Sequence, residues 1–514
     1  MNPSSVTGYS KWWTLAATCL GGLVLNMDLF IVNVALPAIG EHYHASFSSV
    51  SWTVAVYALM IGVFPGGLGR IGDLWGHKRL YMLGLIFFTA ASFACGMAPH
   101  IGWLIVFRAL QGIGAAALIP GTMSLLVAAF PKEQKGLAIG INSGIGGLGL
   151  IAGPVLSGLL VHGSNWKWIF WINVPIGVIA IALTAWFVQE TKLLEASKKV
   201  DWLGLVLLCA GISAVLFSFT RAENAGFDGF SLLFIGAGLI ILALFAWLER
   251  RISHPLIDFS LFKNMQFSVP LISMFLFSAA LFGSQPYWSL FFQNYWGFTP
   301  LQGGLSFLPA TVLIALFSPF AGIISQKVGS RLPWFMMLGV LLVAVSFLIM
   351  IGLRTDSHYE DSILPSMIIR GFGIPILFAS TSLMIMSAVP DTKIGLASGL
   401  LNMFRNVGTA MGIALLGQLY TRSIGQYPAR PLELPEGTWA ELLAQARQFF
   451  LPDSPALQPL GAAVITHAFQ QLALICTLFL VPALLSILFI RRKASARDQD
   501  DTAIVAKPKE TQVL

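Results

Sequence analysis

Four ionisable side chains lie deep inside long apolar stretches of this 514-residue sequence: Asp28, Arg108, Arg370 and Arg405. An ionised group in hydrocarbon costs at least about 2.5–3.5 kcal/mol, so each needs a physical reason to be there. Asp28 is the one acid, of 23, placed within such a stretch. A sequestered carboxyl facing a guanidinium has two readings: a static ion pair that fixes packing, or a proton-responsive group tipped by a nearby rearrangement or a cationic ligand. Arg370 and Arg405 have no comparable acid. They either hydrogen-bond carbonyls and line water, or they meet an anionic or carbonyl-bearing ligand. Asn33, Gln111, Gln285 and Asn402, together with Arg405, are the candidate polar groups of a ligand cavity. His467 reads as a capping or interfacial histidine, with a second proton site as its alternative.

The familiar catalytic and metal patterns are missing. There is no H-E-x-x-H, no G-x-S-x-G and no Walker-type Gly-rich loop, which argues against a built-in hydrolase or ATPase. His254-Pro-Leu-Ile-Asp258 sits in a basic linker, where a turn explains it. The four cysteines, Cys19, Cys95, Cys209 and Cys476, all lie in apolar runs and read as small packing residues. The sequence predicts no enzyme activity, no metal and no cofactor.

The elements that must position these residues follow from composition. Apolar residues make up 56% of the chain and charged residues 10%, against roughly 25% charged in a globular domain, so most of the chain is solvated by lipid. The net charge of +7 is therefore no argument for nucleic acid. Apolar segments long enough to cross a bilayer lie near 13–37, 49–69, 80–98, 102–123, 137–161 and 167–188. A central pair follows near 202–220 and 230–248. Six more lie near 267–292, 302–325, 333–353, 363–388, 394–420 and 463–490. Fourteen spans put both ends on one side. With the ends and alternate loops assigned to the cytoplasm, 21 Lys and Arg residues fall there and six on the opposite side. That bias predicts cytoplasmic termini. On this topology Asp28 lies roughly 13 Å, and Arg108 roughly 9 Å, below the outer ends of their helices. Arg405 is about 16 Å into its own helix.

The chain also repeats itself. Pro65-x-x-x-Gly69-x-x-x-Asp73-x-x-Gly76 is matched by Pro319-x-x-Gly322-x-x-x-Gln326-x-x-Gly329. Arg108, Pro131 and Gly136-Leu-Ala are matched by Arg370, Pro390 and Gly395-Leu-Ala. Such duplication is the usual construction of secondary transporters, with the ligand site between the halves. The expected organisation is an N-terminal six-helix bundle at 1–188 and a linker at 189–265 carrying two extra helices. A C-terminal six-helix bundle follows at 266–490, with a long outside loop at 421–461. The charged tail at 491–514 reads as disordered.

These residues resemble the major facilitator superfamily, in particular its 14-span drug:proton antiporter branch, over nearly the whole chain. Gly69-Arg-Ile-Gly-Asp73-Leu-Trp-Gly76-His-Lys78-Arg79 is similar to the superfamily's signature loop. Arg108-Ala-Leu-Gln111-Gly112-Ile-Gly114 is similar to its fourth-span motif associated with proton coupling. Gly149-x-x-x-Gly153-Pro154-x-x-Ser157-Gly158 resembles the fifth-span motif of exporters, and Asp28-x-x-x-x-Asn33-Val-Ala-Leu-Pro37 the first-span motif of this branch. The signature loop usually carries basic residues where this chain has Leu74 and His77, so no salt bridge is carried over to Leu74.

The resemblance implies an all-α polytopic membrane protein of the major facilitator fold, in which helices one and four adjoin so that Asp28 and Arg108 pair for proton coupling. It implies gating by Gly69, Asp73, Gly76 and Arg79 at the cytoplasmic face, with Asp73 near a helix N-terminus of the other half. In the fifth span it assigns that role to Gly149, Gly153, Pro154 and Gly158. The expected activity is proton-coupled export of hydrophobic or amphipathic small molecules (drugs, dyes, antiseptics) across the cytoplasmic membrane by alternating access. The expected partners are substrate, protons and the bilayer, with a monomeric chain and no nucleic acid. A dedicated exporter of one metabolite, siderophore or lipid fits the same motifs. A membrane-embedded enzyme or a channel fits them less well.

Overall fold

The computed structural model describes residues 8–45, 47–163, 165–190, 201–225, 228–252, 256–257, 259–390, 393–427, 435–447, 451–452, 454 and 456–505. Among them there is no strand, and the helices follow the apolar runs. The first half comprises α1 (Gly8–Tyr43), α2 (Phe47–Val63), α3 (Pro65–Trp75), α4 (His77–Gly96), α5 (Ile101–Ala129), α6 (Lys135–Gly163), α7 (Trp168–Trp171) and α8 (Asn173–Phe187). Two helices intervene, α9 (Trp202–Ala225) and α10 (Gly229–Glu249). The second half comprises α11 (Met265–Leu290), α12 (Pro300–Leu305), α13 (Leu308–Lys327), α14 (Leu332–Ile351), α15 (Leu364–Ser387), α16 (Ile394–Gly425), α17 (Glu436–Arg447) and α18 (Gln458–Val505).

Among the described residues ten helices are long and apolar enough to cross a membrane, or eleven if the bent pair α2–α3 is one span. Three further long helices, α1, α6 and α16, have 36, 29 and 32 residues and stand outside that set. For α16 the reason is plain: Asn402, Arg405, Asn406 and Thr409 interrupt its apolar sequence.

Several boundaries differ from the sequence expectation. The signature segment from Gly69 is helical through Trp75, not a loop, and only Gly76 (φ 105°) makes the corner into α4. A side chain at that dihedral would be strained, which is why glycine stands there. The chain bends by 49° between α2 and α3, where Pro65 removes a backbone donor. The connection between α16 and α18 carries α17, docked by Leu442 and Ala446 and by the Tyr420 hydroxyl, which donates to the Ala446 carbonyl at 2.9 Å. The last helix continues past residue 491 to Val505, where a disordered tail was expected; Ala494, Ala496 and Arg497 favour helix there. Residues 506–514 lie outside the described residues, as do His254 and Asp258 of the linker.

The halves meet in two seams at one end of the bundle. In the first, α3 crosses α16. A Cβ built on Gly69 would overlap the Gly395 carbonyl, whose carbon is 2.7 Å away, and one on Gly399 would overlap Pro65. In the second, α6 crosses α13, with Gly136 against Gly322, Gly140 against Ser318 and Gly144 against Ala315. Small residues allow this backbone approach. The internal repeat thus pairs with itself: Gly69 and Gly322 are equivalent, and so are their contacts Gly395 and Gly136.

The two intervening helices are unequal. On α9, Leu208, Ile212 and Leu216 form a buried stripe that enters the groove between α2 and α16. Leu205 and Leu216 crowd Gly67 and Gly62, and Trp52 stacks on Phe217 with centroids 5.6 Å apart. By contrast α10 packs chiefly on α9 and exposes Leu232, Leu233, Leu239 and Ile240. It is tied down at its start by Asp228, which accepts from Ser231 N at 2.7 Å and pairs with Arg221 at 3.0 Å; these contacts lower the Asp228 carboxyl to about 2.

If backbone contact holds the seams, Gly69→Ala and Gly322→Ala must part them. Spin labels at Trp75 and Ser330, both exposed at this end, should report a distance distribution shifted to longer values in each variant. An unchanged distribution would show that the glycines are not what keeps the halves together.

Candidate functional site

Asp28 and Arg108 meet in the interior of the first half, both with no exposed surface. Arg108 Nη1 donates to Asp28 Oδ2 and, at 2.8 Å, to Gln111 Oε1. Arg108 Nε donates to the Thr53 carbonyl at 2.9 Å, and the guanidinium lies 4.0 Å from the centroid of the Tyr57 ring. The other carboxylate oxygen, Asp28 Oδ1, accepts from Gln111 Nε2 at 3.0 Å and from Asn173 Nδ2 at 2.8 Å. Both amides also donate to Ser92 Oγ, at 3.0 and 3.2 Å, and Ser92 donates to the Phe170 carbonyl at 2.9 Å.

Five helices are therefore fixed to one carboxylate and its partners: α1 by Asp28, α2 by Thr53 and Tyr57, α4 by Ser92, α5 by Arg108 and Gln111, and α8 by Asn173. On α5 the spacing of Arg108 and Gln111 puts both on one helical face. Asn173 follows Ile172, the helical junction of α7 and α8, and its side chain is fully buried.

The shell has a chemical bias. Every group around Asp28 donates to it, an arrangement suited to a carboxylate and not to a carboxylic acid, whose hydroxyl would need an acceptor. Two atoms in the cluster, Arg108 Nη2 and Asn173 Oδ1, are buried with no partner among the described residues. Turning the Asn173 amide would offer Asp28 an acceptor at the expense of a donor. Protonation and side-chain arrangement are therefore coupled by hydrogen-bond count alone.

The remaining candidates divide by position. Gln111 is fully buried inside this cluster, where a cavity-lining role was expected. Gln285 is half-buried in α11; Asn402 and Arg405 are half-buried in α16, with Asn402 donating to the Ser398 carbonyl at 3.0 Å. Asn33 lies in α1, and its side chain is outside the described residues. Arg370 is buried between the rings of Trp288 and Phe347, 4.4 and 4.2 Å from their centroids, and its Nε donates to Ser346 Oγ at 2.8 Å. His467 is half-buried, its ring 5.4 Å from that of Tyr427. A separate recess of about 510 Å³ involves Tyr295, Trp296, Thr355, His358, Leu451 and Gln458, and none of the candidates lines it.

At the seams Asp73 is buried and accepts from Gly395 N and Leu396 N, both at 3.0 Å, at the N-terminus of α16. His77 Nε2 is 2.9 Å from Asp73 Oδ1, so the histidine at the departure from the family pattern joins this contact. The repeat supplies a neutral counterpart. Gln326 Oε1 accepts from Gly136 N at 3.0 Å, and its Nε2 donates to the Lys132 carbonyl.

Glu190 accepts from the backbone of Lys78 and Arg79 at 3.1 and 3.3 Å, capping α4, and lies 3.8 Å from the Arg79 side chain. Gly149 packs against Leu23 O and Met27 N of α1, at 2.7 and 3.1 Å from its Cβ position, and Gly153 is buried. Pro154 and Gly158 belong to α6, with side-chain surroundings outside the described residues.

Sequence reasoning missed Asn173, Ser92, Tyr57, Thr53 and Glu190. Only Gln326 had left a signal, as the repeat partner of Asp73.

The model of the Major Facilitator Superfamily matches residues 18–413. The chain is 33% identical over 408 residues to the multidrug resistance protein Stp of Mycobacterium tuberculosis, covering 79% of this chain and 75% of that protein. It is 31% identical over 424 residues to the tetracenomycin C resistance and export protein of Streptomyces glaucescens, covering 82% and 78%. It is 30% identical over 423 residues to the riboflavin transporter RibZ of Clostridioides difficile, covering 80% and 89%. Among solved structures, the human organic anion transporter MFSD10 (TETRAN) superposes with a TM-score of 0.61 at 13% identity, over 91% of this chain and 99% of that one, a likeness of fold alone.

Removing a donor from the buried carboxylate costs about 1–3 kcal/mol. Asn173→Ala should accordingly lower the thermal midpoint of the detergent-purified protein by a few degrees, read by intrinsic tryptophan fluorescence. A midpoint equal to the parent's would mean that the amide does not support Asp28.

Proposed function

The chain belongs to the Major Facilitator Superfamily, whose members carry small molecules across membranes, and on that footing we propose that it is a proton-coupled exporter of hydrophobic or amphipathic drugs and dyes. The observation that carries the coupling is the carboxylate of Asp28, buried among donors and paired with Arg108. The names of the relatives support export of toxic compounds.

In the proposed cycle Asp28 takes up a proton while facing outward, which loosens its hold on Arg108 and frees the Gln111 and Asn173 amides to rearrange. Facing inward, it releases the proton as substrate enters. Proton and substrate compete for one set of interactions, so they move in opposite directions. One proton descending one pH unit and 100 mV supplies about 3.7 kcal/mol, enough for a roughly 500-fold gradient of a neutral substrate.

The architecture proposed for this cycle has fourteen spans in a monomeric chain of the cytoplasmic membrane: six at 1–188, two in the linker at 189–265, and six at 266–490. The Lys and Arg bias supports cytoplasmic termini, and on that orientation the glycine seams serve as the cytoplasmic gate. Asp73 and Gln326 serve as its two latches, and Gly76, Arg79 and Glu190 fix α4 beside them. Gly149, Gly153, Pro154 and Gly158 shape the opposite gate, and Gln285, Asn402 and Arg405 line the substrate cavity with Asn33. The likeness to a riboflavin transporter favours a second reading, a carrier dedicated to one metabolite on the same fold. Transport of several unrelated dyes separates the two.

Inverted vesicles give the central test. A dye that is a substrate should trigger proton release driven by the wild-type protein, and Asp28→Asn should reduce it at least tenfold while the protein still folds. Coupling retained in that variant would move the proton site elsewhere, with His467 the next candidate.

A further inference from the structure

The charges inside the bundle do not balance. Among the described residues of the first half, Asp28 and Arg108 neutralise each other. The second half places Arg370 and Arg405 on α15 and α16, and neither pairs with an acid among the described residues. Arg370 is accounted for by two aromatic faces and a serine. Arg405 is not. Among the described residues no hydrogen bond or ion pair reaches its half-buried guanidinium, although it lies near the middle of a buried helix.

The packing of α16 shows which contacts flank Arg405. Gly399 and Asn406 turn to the first half, where Gly399 abuts Pro65 and Asn406 Nδ2 donates to the Ile61 carbonyl at 3.1 Å. Gly408 and Gly412 turn to Phe275 and Ala279 of α11. Leu400 flanks Gly66 together with Leu208 of α9 and so marks the side covered by the intervening pair. Arg405 is five residues, or about 140°, around the helix from Leu400. It lies between the contacts with α2–α3, Asn406 being about 100° away, and those with α11, Gly412 being about 20° away two turns on, and Asn402 and Thr409, both half-buried, stand within about 60° of it. That side of α16 adjoins the first half at Asn406.

Half-buried aromatic rings lie on α16 and on α11 and α15, which pack against it. Phe404 meets Phe275 edge-on with centroids 6.4 Å apart, and Phe282 of α11 meets Phe378 of α15 at 6.4 Å; all four rings are half-buried.

We propose that Arg405 is the anchor for a negatively charged group of the substrate, and that the compounds carried best are planar aromatic anions, not organic cations. A cation would face an unneutralised guanidinium, while Asp28, enclosed within the first half, is already taken by Arg108. A carboxylate or ionised phenol would form a charge-assisted pair with Arg405, its rings set against the phenylalanines. The inference rests on the export reading above and names the substrate class of that same site.

The test uses the full-length protein in nanodiscs and two dyes of related shape, fluorescein (anionic at pH 7.4) and rhodamine 123 (cationic), with Nile red as a neutral control. Binding is read by fluorescence anisotropy, and transport separately in proteoliposomes under a pH gradient. Fluorescein should bind at least tenfold more tightly than rhodamine 123. Arg405→Gln should weaken fluorescein at least tenfold and change Nile red by less than twofold, while Arg405→Lys should restore part of the anion affinity. The Nile red signal and the Lys variant distinguish loss of the anchor from loss of the fold. Equal or tighter binding of rhodamine 123, or an Arg405→Gln variant that binds fluorescein normally, would overturn the proposal. Preferred binding of the anion without pH-driven movement would leave Arg405 as the anchor and sink the export reading instead. If no dye of any charge binds, both fall.

Discussion

One carboxylate, buried where lipid and protein exclude water, organises the first half of this molecule. Left alone, Asp28 would be untenable at that depth; what makes it tolerable is a guanidinium and two amides, each contributed by a different turn of a neighbouring helix. Because those donors come from α5 and α8, and their own partners from α2 and α4, satisfying one charge dictates how five helices stand relative to one another. The same condition makes the arrangement conditional. It is complete only for the ionised form, so a proton arriving at Asp28 alters the hydrogen-bond inventory of the entire cluster.

The second half repeats the plan with different chemistry. Arg370 occupies the position equivalent to Arg108, but its charge rests against Trp288 and Phe347, not against an acid. The seams follow the same logic of likeness and divergence. Asp73 accepts two backbone N–H groups at the start of α16, and Gln326 performs the neutral version of that contact at the start of α6. One fastening uses a carboxylate and its twin a neutral amide.

How much of this could be read from the chain alone depended on whether the signal was local. Depth along a helix is a matter of counting residues, so Asp28 and Arg108 could be set at similar levels before any coordinates. The repeats likewise identified Gly69, Gly322, Gly136 and Gly395, though nothing in their spacing said that Gly69 would meet Gly395 and Gly322 would meet Gly136. Asn173 was invisible because the helix face that meets the carboxylate is decided by tertiary packing, which leaves no periodic trace. Gln111 was placed in the cavity for its polarity, but the carboxylate claims it first. The run from Gly69 to Trp75 looked like a loop because glycine and charge are dense there; burial against α16 favours helix despite the poor propensity. α16 shows the limit of hydropathy, since the residues that make it interesting are those that make it poorly apolar.

The seams themselves carry a kinetic consequence. Knobs seated in holes must be withdrawn one by one before two helices can part, and each withdrawal exposes a side chain with nowhere to go. Here the meeting surfaces are almost bare main chain, Gly69 on Gly395 and Gly136 on Gly322, fastened by a few amide contacts at the rim. If the proposed gate opens here, such faces part like two polished plates once the rim lets go, and the closed form is snug without being slow to open.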